Sequence, residues 1–355
     1  MSEKMSSIFR KILIVAFSLL VAGTSSGYST DNETQVEGAD SVVDFEHSLD
    51  DYVPAKKRYN FYFTYKIVHP CWDAVALGME DAQKKYLEKG IIITYEYMAP
   101  DDVSYEDQID RLLKAQEGDY DVIGVDVADE EKISPVLDKM VASGKKVMTF
   151  SSSDAAPGCK RIAYVGNTHN YQDGADLTEA LCKKLGYKGK VGILVGSPGA
   201  PCHEDRARGA KDTIAKYQNM EIVAVEYDMD SIDKAHELTE EMLKDNPDIA
   251  GFVCCNMSNP VGTARAVTEL GSKAVIVGMD HDQEALHYLQ DGIIYCLGVQ
   301  DCYSIGFDTL KVAVKIADGY LPGDLFPDKT DESTTIIYQE DAASMLEVLY
   351  GDASQ

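Results

Sequence analysis

From Tyr59 onward the chain alternates short hydrophobic runs with longer stretches in which apolar residues recur at helical spacing. The runs predict strands at Asn60–Tyr65, Ile91–Tyr97, Asp121–Val125, Lys146–Phe150 and Ile162–Val165. Further strands are predicted at Val191–Val195, Glu221–Glu226, Ile249–Cys254, Ala274–Gly278 and Ile293–Val299. The stretches between them predict helices at Asp73–Leu87, Tyr105–Gln116, Glu130–Ala142, Tyr171–Leu185 and Asp205–Tyr217. Four more are predicted at Ile232–Leu243, Pro260–Leu270, Gln283–Leu289 and Cys302–Ala317. Runs such as Val191-Gly-Ile-Leu-Val195 and Ala274-Val-Ile-Val277 are apolar throughout, as expected of strands covered on both faces in a parallel sheet. Strands alternating with helices imply βαβ units. About ten strands exceed one comfortable sheet. The predicted fold is therefore α/β, with two doubly wound Rossmann-like lobes. The tail departs from this rhythm. Gly319–Asp328 is turn-rich, Thr334–Tyr338 reads as a strand and Glu340–Leu349 as a helix. Such a tail returns the chain to a lobe it had left.

The first strand-to-helix junction carries unusual chemistry. Tyr59-Asn-Phe-Tyr-Phe-Thr-Tyr65 suits a half-buried strand. Ala74, Val75, Leu77, Gly78 and Ala82 mark the following helix, and Pro70 separates the two. Trp72, the only tryptophan, falls at this junction. In an open α/β sheet ligands bind at such junctions.

The 355 residues suffice for two domains. A net charge of −27 would repel a phosphate backbone, which excludes nucleic acid as a partner. Lys4, Arg10 and Lys11 precede the apolar run Ile12–Ala22, then Gly23-Thr-Ser-Ser-Gly27, the layout of a signal peptide over 1–27. Thr24 stands where a lipidated cysteine would be needed, so the expected location is periplasmic or extracellular without a lipid anchor. Residues 28–57 are acidic and aperiodic and read as a mobile spacer. Eight cysteines, at 71, 159, 182, 202, 254, 255, 296 and 302, match no disulfide framework; export permits oxidation, but the spacing assigns no pairs.

Gly196-Ser-Pro-Gly199 lacks both the dinucleotide and the P-loop patterns, and no Gly-x-Ser-x-Gly elbow occurs. No cofactor is expected. His69, Cys71, Cys202, His203 and His281 are transition-metal ligand types on predicted cleft loops, but their spacing fits no structural zinc site. They read better as polar or packing residues.

Several stretches stand out by their order and spacing: Lys146–Phe150 with Lys160–Asn167, Asp205-Arg-Ala-Arg-Gly209, Cys255–Pro260, Val277-Gly-Met-Asp280 and Gly298-Val-Gln-Asp301. Together they resemble the ribose-binding-protein type of periplasmic sugar-binding proteins, the solute receptors of ABC transporters related to the effector domains of LacI repressors. The resemblance spans about 59–338. It implies a type I periplasmic binding protein whose lobes close by a hinge over the ligand, with three crossovers near Gly166–Thr168, Val299–Asp301 and Pro322–Asp328. The first lobe would combine 58–166 with 300–323, and the second 167–299 with 324–355.

Positions matching the family's ligand residues are Tyr65, His69, Cys71, Trp72, Ser151, Ser152, Asp154, Arg206, Met229, Asn256, Asp280 and Gln300. A sugar offers hydroxyl rims and apolar faces, which carboxylates, amides and aromatic rings recognise. Trp72 is expected as a stacking wall rather than a core residue, and Asp280 as a hydroxyl acceptor rather than a helix cap. Asn256 and Arg206 are assigned to the ligand before a turn or a solvated surface, while Gln300 serves ligand or hinge. Ser151 replaces an aspartate usual in relatives, and Cys71 and Met229 replace aromatics, which implies a softer and smaller lining. The expected function is non-catalytic: capture of a sugar or polyol by a monomer and delivery to an ABC transporter permease. Presentation to a chemoreceptor or histidine kinase is the alternative, and a secreted enzyme on the same scaffold a more distant one.

Overall fold

The computed structural model describes residues 47–67, 71–101 and 104–350. Among the described residues twelve strands form two six-stranded sheets. The first sheet holds β1 (Arg58–Thr64), β2 (Ile92–Met98), β3 (Val122–Val125), β4 (Val147–Ser151) and β5 (Tyr164–Gly166). The second holds β6 (Gly189–Val195), β7 (Met220–Tyr227), β8 (Ile249–Cys254), β9 (Val275–Met279) and β10 (Ile294–Gln300). The late strands divide: β11 (Lys329–Asp331) joins the first sheet and β12 (Thr334–Ile337) the second.

The first sheet runs β2-β1-β3-β4-β5-β11 and is parallel throughout. The second runs β7-β6-β8-β9-β10-β12, parallel except for β12, which is antiparallel to β10. Each order reverses once, between β1 and β3 and between β6 and β8. These are the switch points at whose carboxyl ends open α/β sheets bind ligands. β3 and β4 are buried at every position, which explains their unbroken apolar runs.

Helices cover the sheets in pairs that approach closely at glycine. In the first lobe Cys71–Glu88 crosses Cys302–Ala317. A Cβ at Gly78 would lie 2.0 Å from the Tyr303 carbonyl oxygen, and one at Gly306 1.9 Å from that of Val75. The second lobe repeats the device with Asn170–Lys184 and Pro201–Ile214. A Cβ at Gly174 would lie 2.1 Å from the Arg206 carbonyl oxygen, and one at Gly209 2.0 Å from that of Tyr171.

Three features depart from the expected organisation. Residues 47–57 pack on the first lobe instead of hanging free. Asp50 pairs with Lys315 at 2.5 Å, and Tyr52 Oη donates to Asp318 at 2.6 Å. The acidity taken for solvation is thus partly spent: Asp50 pairs with a lysine of the helix Cys302–Ala317, and the Tyr52 hydroxyl anchors the segment to the carboxylate at that helix's end. The third crossover lies at 332–333, beyond 322–328, because β11 extends the first sheet along β5 before the chain leaves it. The helix expected from Asp205 begins at Pro201, with proline at its first position.

Candidate functional site

The carboxyl ends of both sheets face each other across a seam, and the side chains there are polar and buried. From the first lobe come Lys66 after β1, Asp126 after β3, and Ser152 and Ser153 after β4. Lys66 Nζ donates to Asp126 at 3.2 Å, to Ser153 Oγ at 3.0 Å and to Ser152 Oγ at 3.2 Å. It also reaches Cys202 Sγ of the second lobe at 3.8 Å. Ser153 Oγ donates to the same sulfur at 3.2 Å. Asn170 Nδ2 donates to the Ser152 carbonyl at 2.9 Å. These contacts join the lobes, so the structure is a closed form.

The second lobe contributes Arg206, Asn256, Asp280 and Gln300, all buried. Arg206 donates to the Cys255 carbonyl at 3.2 Å and to Gln300 Oε1 at 2.9 Å. Asn256 donates to Asp230 at 2.6 Å and accepts from Ser258 and the Asn259 backbone. Asp228 is held by Ser258 at 2.6 Å and by Asn259 at 2.7 Å. Asp280, just after β9, adopts a left-handed backbone with φ 80°, and Ser151, the last residue of β4, has φ 71°. Such conformations cost about 1–3 kcal/mol and gather at binding sites. Gly196 admits three of these polar groups: its Cβ would lie 2.5 Å from His203 Nδ1 and 2.6 Å from both Asn256 Nδ2 and Asp230 Oδ1. The absence of a side chain at Gly196 permits this close approach.

Electrostatics keep the seam ionic. Full burial pushes Asp126 up to about 6, and the Lys66 ammonium only partly opposes this. Burial would lower Lys66, but Asp126 and Cys202 outweigh it and hold its pKa above the ordinary value. At neutral pH both carry charge, since about 6 still leaves Asp126 mostly ionised. Burial likewise pushes Asp228 up to about 6. Burial would raise Asp230 too, but His203, Ser197 and Asn256 hold it low.

Several expected site residues stand elsewhere. Cys71 presents no thiol: it forms a disulfide with Cys302, Cα atoms 5.9 Å apart, tying the first helix to the one that follows the second crossover. Asp154 turns away from the seam into a cluster with Arg161 at 2.8 Å, Lys329 at 2.9 Å and Thr149 at 2.6 Å. Burial would raise its carboxyl, but Arg161 beside it keeps it low. Tyr65 and Trp72 stack on each other at 4.6 Å, and Trp72 meets Phe150 edge-on. This stack belongs to the first lobe's core. Met229 is 55% exposed, with φ 56°. His69 lies outside the described residues. Of the metal-ligand types, His203 and His281 are buried in the second lobe. Among the described residues, the group whose donors cluster closely enough for a metal is instead His236, Glu240 and Glu269, on a partly exposed face.

Sequence reading passed over Lys66, Asp126, Asp228 and Asp230, and set Cys202 and His203 aside. Each of the four missed residues stands within three positions of a parallel strand's carboxyl end. That position was the available signal.

Two doubly wound sheets with a buried, hydrogen-bonded seam between their carboxyl ends define a two-lobed receptor that encloses a small ligand. The sequence profile of the periplasmic binding protein domain matches residues 61–321, and the chain belongs to that family. It is 26% identical over 276 residues to the D-allose-binding periplasmic protein of Escherichia coli K12, covering 74% of this chain and 85% of that protein. It is 26% identical over 256 residues to the ribose import binding protein of Bacillus subtilis 168, covering 72% and 79%. Among solved structures, GanP, a glucose-galactose binding protein of Geobacillus stearothermophilus, superposes with a TM-score of 0.74 at 29% identity, over 81% of this chain and 99% of that one. A Burkholderia graminis solute-binding protein in complex with D-arabinose shares the fold, with a TM-score of 0.73 at 23% identity over 81% and 97%. Among the described residues no helix is long and apolar enough to cross a membrane.

Proposed function

We propose that the protein is an exported, non-catalytic receptor that captures a sugar or sugar-like polyol between its lobes and delivers it to the permease of an ABC importer. The observation that carries this reading is the seam's unspent hydrogen-bonding capacity. Arg206 Nε, His203 Nδ1, His281 Nδ1 and Asn170 Oδ1 are buried and make no hydrogen bond within the protein. Buried polar atoms are normally satisfied, and donors and acceptors from several elements of one seam suit the mixed rim of a polyol. The relatives' names, which cite allose and ribose, support the same ligand class.

The ligand residues in this reading are Arg206, Asn256, Asp280 and Gln300 from the second lobe. Ser151 and Ser152 act from the first, backed by the Tyr65–Trp72 stack of its core, and exposed Met229 stands at the rim; His69 is proposed as a ligand residue from the resemblance alone. The lobes comprise about 58–166 with 300–331, and 167–299 with 332–350, and the signal peptide and monomeric state complete the proposal. Micromolar binding corresponds to about −8 kcal/mol, within reach of a few charge-assisted hydrogen bonds after ordering costs.

A thermal-shift screen against sugars, polyols, purine nucleosides and amino acids tests the ligand class. Stabilisation by a monosaccharide is expected. Asp280→Ala should abolish that stabilisation while leaving the ligand-free melting temperature within a few degrees. An unchanged shift would remove Asp280 from the site.

A further inference from the structure

Six cysteines stand outside the disulfide. Five lie in or against the core of one lobe, where burial raises their thiols: to about 11 for Cys159 and Cys182, and to about 12 for Cys255 and Cys296, with Cys254 also raised. Cys202 is placed differently. It sits in the first turn of Pro201–Ile214, only 1% exposed, at the point where the lobes meet. Ser153 donates to its sulfur from across the seam, and the Lys66 ammonium approaches it. His203 is its neighbour in sequence, and Arg206 follows one helical turn later. His203 Nδ1 and Arg206 Nε, both on side chains more than nine-tenths buried, make no hydrogen bond within the protein.

The charges around the sulfur come from both lobes. Burial opposes a thiolate, but His203, Lys66 and Arg206 outweigh it and bring Cys202 well below the ordinary thiol range. Burial would lower His203, but Cys202 and Asp230 outweigh it and raise its pKa above the ordinary histidine value. Asp126, Asp205 and Tyr164 also face the group. The sulfur thus lies among basic side chains from both lobes, Lys66 on one side and His203 and Arg206 on the other, and closes one edge of the seam.

We propose that the Cys202 sulfur is an oxidation-sensitive group of the interlobe seam, which hydrogen peroxide entering between parted lobes converts to a sulfenic acid, weakening closure. The sulfur lone pair attacks one peroxide oxygen. The S–O bond forms as the O–O bond breaks, and the leaving hydroxide takes the His203 proton as water. Sulfur is oxidised by two electrons and the peroxide reduced by two. The product is neutral and one oxygen larger, in a position with almost no free surface. Lys66 then loses its anionic counterpart across the seam. The inference goes beyond sugar capture and holds for any ligand, since it rests only on the closure of the lobes.

Cys159 is the built-in comparison. It is only partly buried, so accessibility favours it, whereas charge favours Cys202. At pH 6.5 a thiol raised as far as Cys159 is thiolate in roughly one part in 10⁴ or less. A low-pKa thiolate is intrinsically the weaker nucleophile, but a Brønsted slope of about 0.4–0.5 returns only half of that logarithmic gain.

The test is oxidation of the protein by hydrogen peroxide with dimedone present, followed by peptide mass mapping at pH 6.5 and pH 9. The expected adduct forms on Cys202 at least tenfold faster than on Cys159 at pH 6.5, and the ratio narrows at pH 9. Lys66→Met should slow the Cys202 adduct at pH 6.5. If circular dichroism shows that variant unfolded, the wild-type ratio at the two pH values decides alone. Small-angle scattering should show the oxidised protein more expanded than the reduced one. Cys159 leading at pH 6.5, a folded Lys66→Met with an unchanged rate, or an unexpanded oxidised protein would each overturn the proposal. None of these readouts depends on sugar binding, so the proposal fails or stands separately from the ligand assignment.

Discussion

Arg206 reaches the Cys255 carbonyl at the end of β8 and Gln300 at the end of β10, and so ties the second lobe's switch point to the hinge. Its class of residue was legible in the sequence because it stands in a recognisable Arg-Ala-Arg-Gly stretch. Its contacts were not, because both partners are remote in the chain. Asp154 shows the opposite outcome. Its place just after a strand suggested the cleft, but the left-handed turn at Ser151 redirects the chain, and Arg161 and Lys329 claim the carboxylate. Lys66 and Asp126 were missed because each alone looks like a solvated charge; only their pairing in the closed seam gives them a role. At the third crossover Glu332 meets Asp308, Asp301 and Asp331. Burial, followed by these like charges, keeps its carboxyl protonated far above the ordinary range. The folded chain therefore holds a proton that the unfolded chain has lost, and stability falls as pH rises from the usual glutamate value through neutrality. Glu332→Gln, which keeps a donor toward Asp308, should remove this dependence. Melting curves should show a gain of a few degrees at pH 8 and none at pH 4.5; an equal effect at both would refute the shared proton.

The elements followed hydrophobic period closely, because parallel strands buried on both faces leave an unmistakable apolar run. Short or polar elements escaped that signal. β11 is a three-residue strand, Lys-Thr-Asp, whose register comes from β5 and not from its own side chains. The start of the Pro201–Ile214 helix carries Cys-His-Glu-Asp, polar residues that hide the period. Helix pairing through glycine has a sharp consequence. Gly174 lies beneath the Arg206 backbone, where a Cβ would meet its Cα at 2.6 Å. Gly174→Ala should therefore shift Arg206, costing about 1–3 kcal/mol in stability and weakening ligand binding at least tenfold; calorimetry showing wild-type affinity would contradict this. In the first lobe the Cys71–Cys302 disulfide closes a loop with a sequence separation of 231. Replacing both cysteines by serine should lower unfolding free energy by about 2–4 kcal/mol, measured by urea denaturation. The sequence alone left these cysteines unpaired, since their proximity exists only once two helices distant in the chain cross.

For the whole molecule, the two sheets repeat one plan: a strand-order reversal, polar residues just past the carboxyl ends, and a helix pair locked by glycines. This symmetry places a ligand between lobes instead of within one. It also accounts for the seam's composition, in which Lys66 and Arg206 stand among the carboxylates of Asp126, Asp228, Asp230 and Asp280. A seam with both signs of charge and unspent donors suits a neutral, hydroxyl-rich solute better than a strongly charged one. Isothermal titration with a panel of aldopentoses, aldohexoses and amino acids tests that reading most directly. One-site binding of a monosaccharide at micromolar or tighter affinity is the predicted result, lost in Asp280→Ala. Tight binding of an amino acid with no heat from any carbohydrate would contradict it.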